Sequence, residues 1–333
     1  MFDGRTTYLA IAVLLTSVAS AHAQGEKPHD FVQGKIFRED EQKAAAEFWT
    51  MERMKEAQPL PMPQIVPPDR EPPQDQGLHN RSQFQTYRNR SLRSGESESS
   101  AEEVIASASM ADVTKPPFSF GGKLFFTKGG MSHYCTGEYV GDSSVVLTAS
   151  HCIIDRATGS LNSNFLFVQA YAPGSGHQRT VACVLASPNW FGAANQWERI
   201  HYDYAFLKTQ QASSGRMRLK INWSYTDAAS IGYPFAIAGG ESMQQVFGLI
   251  GKVPVGPAVY GMRVYEPNFT EGVSGGSWIA ELTEGSATIG NYAISVNSSY
   301  YRDPNDPGVL WIYGPYFDAL TSSLFQRVRR GCR

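Results

Sequence analysis

From residue 113 onward the chain is a succession of short β-type segments separated by Gly, Asn, Asp and Pro, with no helical pattern between them until near its end. The segments are 123–127, 135–140, 144–148, 165–170, 179–186 and 204–208, then 235–238, 245–253, 258–265, 277–280 and 292–296. Parallel sheets need crossover connections, usually helices, and none is available here, so the strands must pair antiparallel in a barrel or sandwich. The stretch 113–333 is long enough for two small barrels, and a 42% hydrophobic composition supplies the core. One helix is expected at the end, where Phe317, Leu320, Leu324, Phe325 and Val328 share a face and Arg327, Arg329 and Arg330 suit the C-terminal dipole.

The sequence before this region has a different texture. Residues 8–18 are mostly apolar behind Arg5, and Ala21-His22-Ala23 offers small residues for cleavage, so 1–23 reads as a signal peptide with Gln24 starting the exported chain. The run falls short of the ~20 residues of a membrane span. The chain is therefore expected to be secreted (extracellular or periplasmic), where disulfides persist. Residues 24–112 read as a largely irregular, partly disordered pro-region. One helix is expected over 40–57, followed by a proline run from Pro59 to Pro73. A basic cluster (Arg81, Arg88, Arg90, Arg93) then gives way to an acidic, serine-rich stretch, 94–103. This segment is either a plain extension or a propeptide that covers the site or assists folding. A net charge of −2 provides no field for nucleic acid or an anionic membrane.

Chemistry is suggested first by Gly272-Val273-Ser274-Gly275-Gly276. A serine hydroxyl needs a base and oxyanion donors, and flanking glycines bring backbone N–H groups close to a carbonyl. None of the seven histidines follows Ser274, which excludes the α/β-hydrolase order of residues. His22, His29 and His79 lie in the signal or polar segments, and His133 and His177 sit in turn-like contexts that read as solvent-facing. His201 reads as a strand end. His151 closes a buried-type strand and is followed by Cys152, which can be bridged to Cys135 on the preceding strand, pinning the loop by about 3 kcal/mol. Asp203 precedes the apolar strand 204–208 and is the carboxylate best placed to orient an imidazole, whereas Asp142, Asp155 and Asp227 sit among turn residues.

Thr148-Ala149-Ser150-His151-Cys152, Asp203-Tyr204-Ala205-Phe206-Leu207 and the Ser274 block together resemble, in order, the catalytic blocks of chymotrypsin-like serine proteases. Their separations look closer to the glutamyl-endopeptidase-like bacterial and fungal branch than to the digestive enzymes, and Gly232-Tyr233-Pro234 and Tyr313-Gly314-Pro315-Tyr316-Phe317 also look like that branch. The resemblance covers roughly 118–328. It implies an all-β fold of two six-stranded antiparallel barrels with a C-terminal helix, and a triad of Ser274 (nucleophile), His151 (base) and Asp203 (orienting carboxylate). The N–H groups of Gly272 and Ser274 would form the oxyanion hole. Ser277 is the competing serine, but it leads into Trp278 and Ile279.

The chain departs from the pattern as well. Val273 stands where trypsin-type relatives keep an aspartate that pairs with a freed N-terminus, so that activation switch is not expected. The histidine with which glutamyl-specific members read a carboxylate is absent, and Asn268 takes the place of the acidic pocket base. Ser295, Asn297 and Ser298 are expected on one pocket wall. Cys183 and Cys332 remain; a bridge between them would tie the last helix to the first barrel, and export favours it over two free thiols, while a metal site lacks the paired spacing. The expected protein is a secreted serine endopeptidase made as a zymogen, monomeric and without cofactor or metal, acting on polypeptides, with its own pro-region as inhibitor or folding aid. The rivals are a catalytically silent binding protein on the same scaffold and an esterase using the same triad.

Overall fold

The computed structural model describes Met1 and residues 34–66, 108–254 and 256–333. The stretch read as a signal peptide, apart from Met1, and the basic and acidic clusters lie outside the described residues. Six strands form the first barrel: β1 (Gly121–Lys128), β2 (Met131–Tyr139), β3 (Val145–Thr148), β4 (Ser163–Ala172), β5 (Ser175–Ala186) and β6 (Ala205–Thr209). They pair antiparallel in the order β5-β6-β3-β2-β1-β4, and β4 returns to β5, closing the ring. Closure removes every free edge except where neighbouring segments add to it. Leu124, Phe126, Val146, Leu147, Phe167, Phe206 and Leu207 are fully buried in its core cluster.

The second sheet contains β7 (Asp227–Gly232), β8 (Gln244–Lys252), β9 (Val259–Val264), β10 (Ser277–Ala280), β11 (Tyr292–Val296), β12 (Ser299–Arg302) and β13 (Leu310–Pro315). Its order is β11-β10-β7-β8-β9-β13-β12, all antiparallel. No ladder joins β11 to β13. Instead, Ser295 Oγ donates to the Pro315 carbonyl at 2.7 Å and Ser298 N–H to that of Tyr313 at 3.0 Å, so β11 and the residues after it meet β13 through single bonds. The C-terminal helix spans Ala319–Arg329, capped by the Asp318 carboxylate accepting from the N–H groups of Leu320 and Thr321. Both disulfides form, Cys135–Cys152 and Cys183–Cys332, the latter fastening the end of that helix to β5.

Local expectations fail where packing overrides composition. Residues 235–238, apolar enough for a strand, form a turn after Pro234, because Gly239 and Gly240 take positive φ. The strand instead is β7, whose Ala228, Ala229 and Ser230 have little β preference but lie between β8 and β10 in the sheet. The helix expected over 40–57 is two helices, α1 (Glu39–Phe48) and α2 (Met51–Glu56). They break at Trp49, whose ring is buried against Phe125 with Nε1 donating to the Asn164 carbonyl at 2.5 Å. His133, expected at the surface, is buried in β2 and stacked on Phe126.

Lys123 is an unusual member of the first barrel. It is 1% exposed, with Nζ 4.1 Å from the Tyr134 ring centre, 4.2 Å from that of Tyr171 and 3.6 Å from the Glu241 carboxylate. Desolvation lowers its ammonium to about 8, against the opposing pull of Glu241. Between that pH and the ordinary lysine value of ~10.4 the unfolded chain holds a proton that the folded chain has released, so stability rises with pH there. The unfolding free energy of the native chain minus that of Lys123→Met is therefore expected to increase by roughly 2–3 kcal/mol from pH 8 to 10.5. Urea titrations of both chains across that range check it; a flat difference would mean that the ammonium is not desolvated.

Candidate active site

The strand β3 delivers Thr148 to the turn Ser150–Cys152, and the Cys135–Cys152 bridge anchors that turn to β2. His151 is thereby held with its ring beside Asp203, which sits just ahead of β6, the strand paired with β3. Asp203 Oδ1 accepts the His151 backbone N–H at 2.9 Å, and Oδ2 lies 2.7 Å from Nδ1. Ser298 Oγ donates to the same Oδ2 at 2.6 Å. Both Asp203 and His151 are buried, at 2% and 6% exposure, so these bonds act in a low-dielectric setting that favours one orientation of the ring. The pairing requires the Nδ1–H tautomer, leaving Nε2 as the acceptor.

Ser274 lies in the Gly272–Gly276 turn, which is packed against both sheets. Gly272 and Gly275 have φ of +92° and +83°, and a Cβ on Gly276 would collide with the Ile231 carbonyl, so all three positions exclude larger residues. Thr136, next to the bridged Cys135, donates its N–H to the Ser274 carbonyl and its Oγ1 to that of Gly272, both at 2.8 Å. Asn297 donates from Nδ2 to the carbonyls of Val273 and Ile231, each at 3.0 Å, and its Oδ1 accepts from Ser230 Oγ and Trp278 Nε1. The Glu271 carbonyl accepts the Phe235 N–H at 2.8 Å. Because that peptide is planar and trans, the Gly272 N–H points the opposite way. Among the described residues, neither the Gly272 nor the Ser274 N–H has a protein acceptor. Val273 is fully buried, with its carbonyl held by Asn297 Nδ2 and the Gly276 N–H.

His151 Nε2 and Ser274 Oγ are both buried, and neither has a hydrogen-bond partner among the described residues. The turn of one packs on the turn of the other: a Cβ on Gly275 would meet Thr148 Oγ1 and, at 2.9 Å, the Ala149 nitrogen. A cleft of about 430 Å³ opens at His151, lined also by Asp203, Ser298, Trp190 and Ile200 and by residues 60, 61 and 63–65 of the N-terminal segment. The grouping of Cys135, His151 and Cys152 has metal-like residue types, but its two sulfurs are joined in the disulfide.

The other sequence-derived candidates fall in varied places. Ser298 contacts Asp203, Ser295 ties β11 to β13, and the Asn297 amide spends both its donors and its acceptor on protein groups. Asn268 is exposed on a turn, its N–H donated to the Glu266 carboxylate. Ser277 donates to the buried Glu138 carboxyl across the two sheets. His177 is exposed on β5, while His201 ends a short helix, Gln196–His201, with Nδ1 3.0 Å from the Ala258 carbonyl. Sequence reasoning missed Thr136 and the scaffold role of Asn297. The only signal for Thr136 is its place beside Cys135.

Three solved structures share this architecture. The protease Anisep from Arthrobacter nicotinovorans is 29% identical, with a TM-score of 0.51 over 63% of this chain and 95% of its own. A thermostable serine protease, AL20, from an extremophilic microorganism is 23% identical, with a TM-score of 0.53 over 64% and 97%. A Glu endopeptidase is 16% identical, with a TM-score of 0.50 over 68% and 97%. The chain has the chymotrypsin-like fold, and these neighbours that share it are proteases. The two matches below 25% identity speak to the fold alone. No family model and no curated protein matches the sequence.

Proposed function

We propose that this chymotrypsin-like chain is a secreted serine endopeptidase made as a precursor, with Ser274 as nucleophile, His151 as base and Asp203 as the carboxylate that orients it. The observation that carries the reading is the Ser298–Asp203–His151 chain of hydrogen bonds beside a glycine-flanked serine whose backbone is held from both sheets. Ser274 Oγ attacks the peptide carbonyl carbon as its proton passes to His151 Nε2. The carbonyl electrons move onto oxygen, facing the free N–H groups of Gly272 and Ser274, a stabilisation worth roughly 100- to 1000-fold per donor. The C–N bond breaks as His151 returns the proton to the leaving amine, and water then releases the acyl group from Ser274 by the same steps reversed.

Export is supported by the two disulfides and by the signal-like first 23 residues; no helix among the described residues is long and apolar enough to cross a membrane. The chain acts as a monomer on polypeptides, and residues 24–112 are its pro-region, part of which covers the cleft.

A fluorophosphonate tests the reading. The exported chain is expected to be labelled, with labelling abolished by Ser274→Ala and kept in Ser277→Ala. Absence of labelling in folded, processed protein would favour a catalytically silent scaffold, and turnover of esters without peptides would favour an esterase.

A further inference from the structure

Residues 58–66 form a strap across the cleft. Gln58 and Pro59 pair with His133 and Tyr134 of β2 in the parallel sense, and Leu60 donates its N–H to the Tyr134 carbonyl at 3.0 Å. Beyond the crossing, Tyr300 of β12 donates its N–H to the Pro63 carbonyl at 3.0 Å and accepts that of Ile65 at 2.9 Å, again a parallel bridge. Gln196 Nε2 fastens the Val66 carbonyl at 2.7 Å. The strap thus uses the backbone groups that an added peptide strand would use, with the polarity opposite to that of an antiparallel-docked peptide.

Pro61, Pro63 and Gln64 are exposed, whereas Leu60, Met62 and Ile65 are buried. Met62, 4% exposed, is absent from the cleft lining and belongs instead to the apolar cluster that contains Phe269, Val273 and Tyr300. Those three come from the segment leading to Ser274 and the strand following Ser298. Across 268–274 and 295–300 the only charged side chain is Glu271, and it is not buried. A charged substrate group would find no buried charged partner on those two segments, while an unbranched thioether fills such a space well. The Leu60–Pro61 and Met62–Pro63 bonds have tertiary nitrogens without an N–H.

Resting on Ser274 as the nucleophile, we infer that residues 58–66 are a built-in, uncleaved occupant of the substrate cleft, and that the pocket filled by Met62 selects a long, uncharged apolar side chain of the substrate. The strap is then a template for the preferred residue, inserted with reversed strand polarity and proline on both sides.

Hydrogen exchange at the Tyr300 amide tests the occupant without relying on catalysis. In the full chain carrying Ser274→Ala this amide is expected to be protected, and adding Met62→Asp is expected to speed its exchange at least ~10-fold, while Met62→Leu keeps the protection. Unchanged exchange in the aspartate variant overturns the occupant. Specificity is read separately, from cut sites left in denatured proteins by the full chain carrying Met62→Asp. Cuts beside Met and Leu are expected, and no cut within 58–66 of the unsubstituted chain. Preference for charged residues, or a cut inside the strap, overturns the inference. If neither chain takes a fluorophosphonate, the serine-nucleophile reading and the substrate class fall together, whereas the exchange result still decides whether the strap occupies the cleft.

Discussion

Replacing Ser274 by alanine is expected to lower peptide hydrolysis by roughly 10⁵–10⁶ in kcat while leaving the fold intact. The backbone of residue 274 is held by the Thr136 N–H on its carbonyl, and its side chain makes no hydrogen bond, so the substitution removes an oxygen without breaking a contact. His151→Ala should cost about as much, and the double variant little more than either alone, because the two groups act in one proton transfer. Asp203→Asn should lose about 10⁴, since an amide NH₂ facing Nδ1 stabilises the wrong tautomer. Steady-state rates of the four purified variants, with circular dichroism as the control, check this. Additive losses would mean that the serine and the imidazole do not work as a unit.

The second large effect lies at Glu138. Its carboxyl is fully buried, with Ser277 Oγ donating to Oε1 and Oε2 left without a partner. Burial pushes its pKa well above the ordinary carboxylate range, against the smaller pull of the Ser277 hydrogen bond. Here the folded chain keeps a proton that the unfolded chain sheds above ~4.3, so stability from this group is full below that pH and falls by about 1.4 kcal/mol for each unit above it, until the buried acid itself ionises. Glu138→Gln removes the titration. The variant's stability relative to the native chain is expected to improve at about that slope from pH 5 upward, starting from a deficit of ~1–3 kcal/mol for a buried amide N–H without an acceptor. Urea unfolding of both chains at several pH values gives the slope. A gap independent of pH would show that Glu138 is already ionised in the fold.

The apolar strand periods were legible because burial on one or both faces leaves a pattern along the chain. That pattern marked β3 and β6 and, with them, the loops bearing His151 and Asp203. It was silent for β7, built from Ala and Ser, and misleading at 235–238, where the glycines after an apolar run turn the backbone. The chain's local chemistry also marked Ser274 as the candidate nucleophile, since a serine among glycines with an upstream histidine and aspartate leaves few arrangements.

Residue order alone determined an antiparallel all-β chain, the cysteines available for bridging and the three side chains proposed for the triad. These are matters of composition and short-range pattern. Tertiary structure alone decided that Asn297 and Thr136 hold the Ser274 turn, that Ser298 supports Asp203, and that a proline-rich strap lies in the cleft between β2 and β12. Each of these joins residues far apart in the chain through backbone groups, and every non-proline residue has the same backbone N–H and C=O. Which of them meet is set by how the two sheets pack.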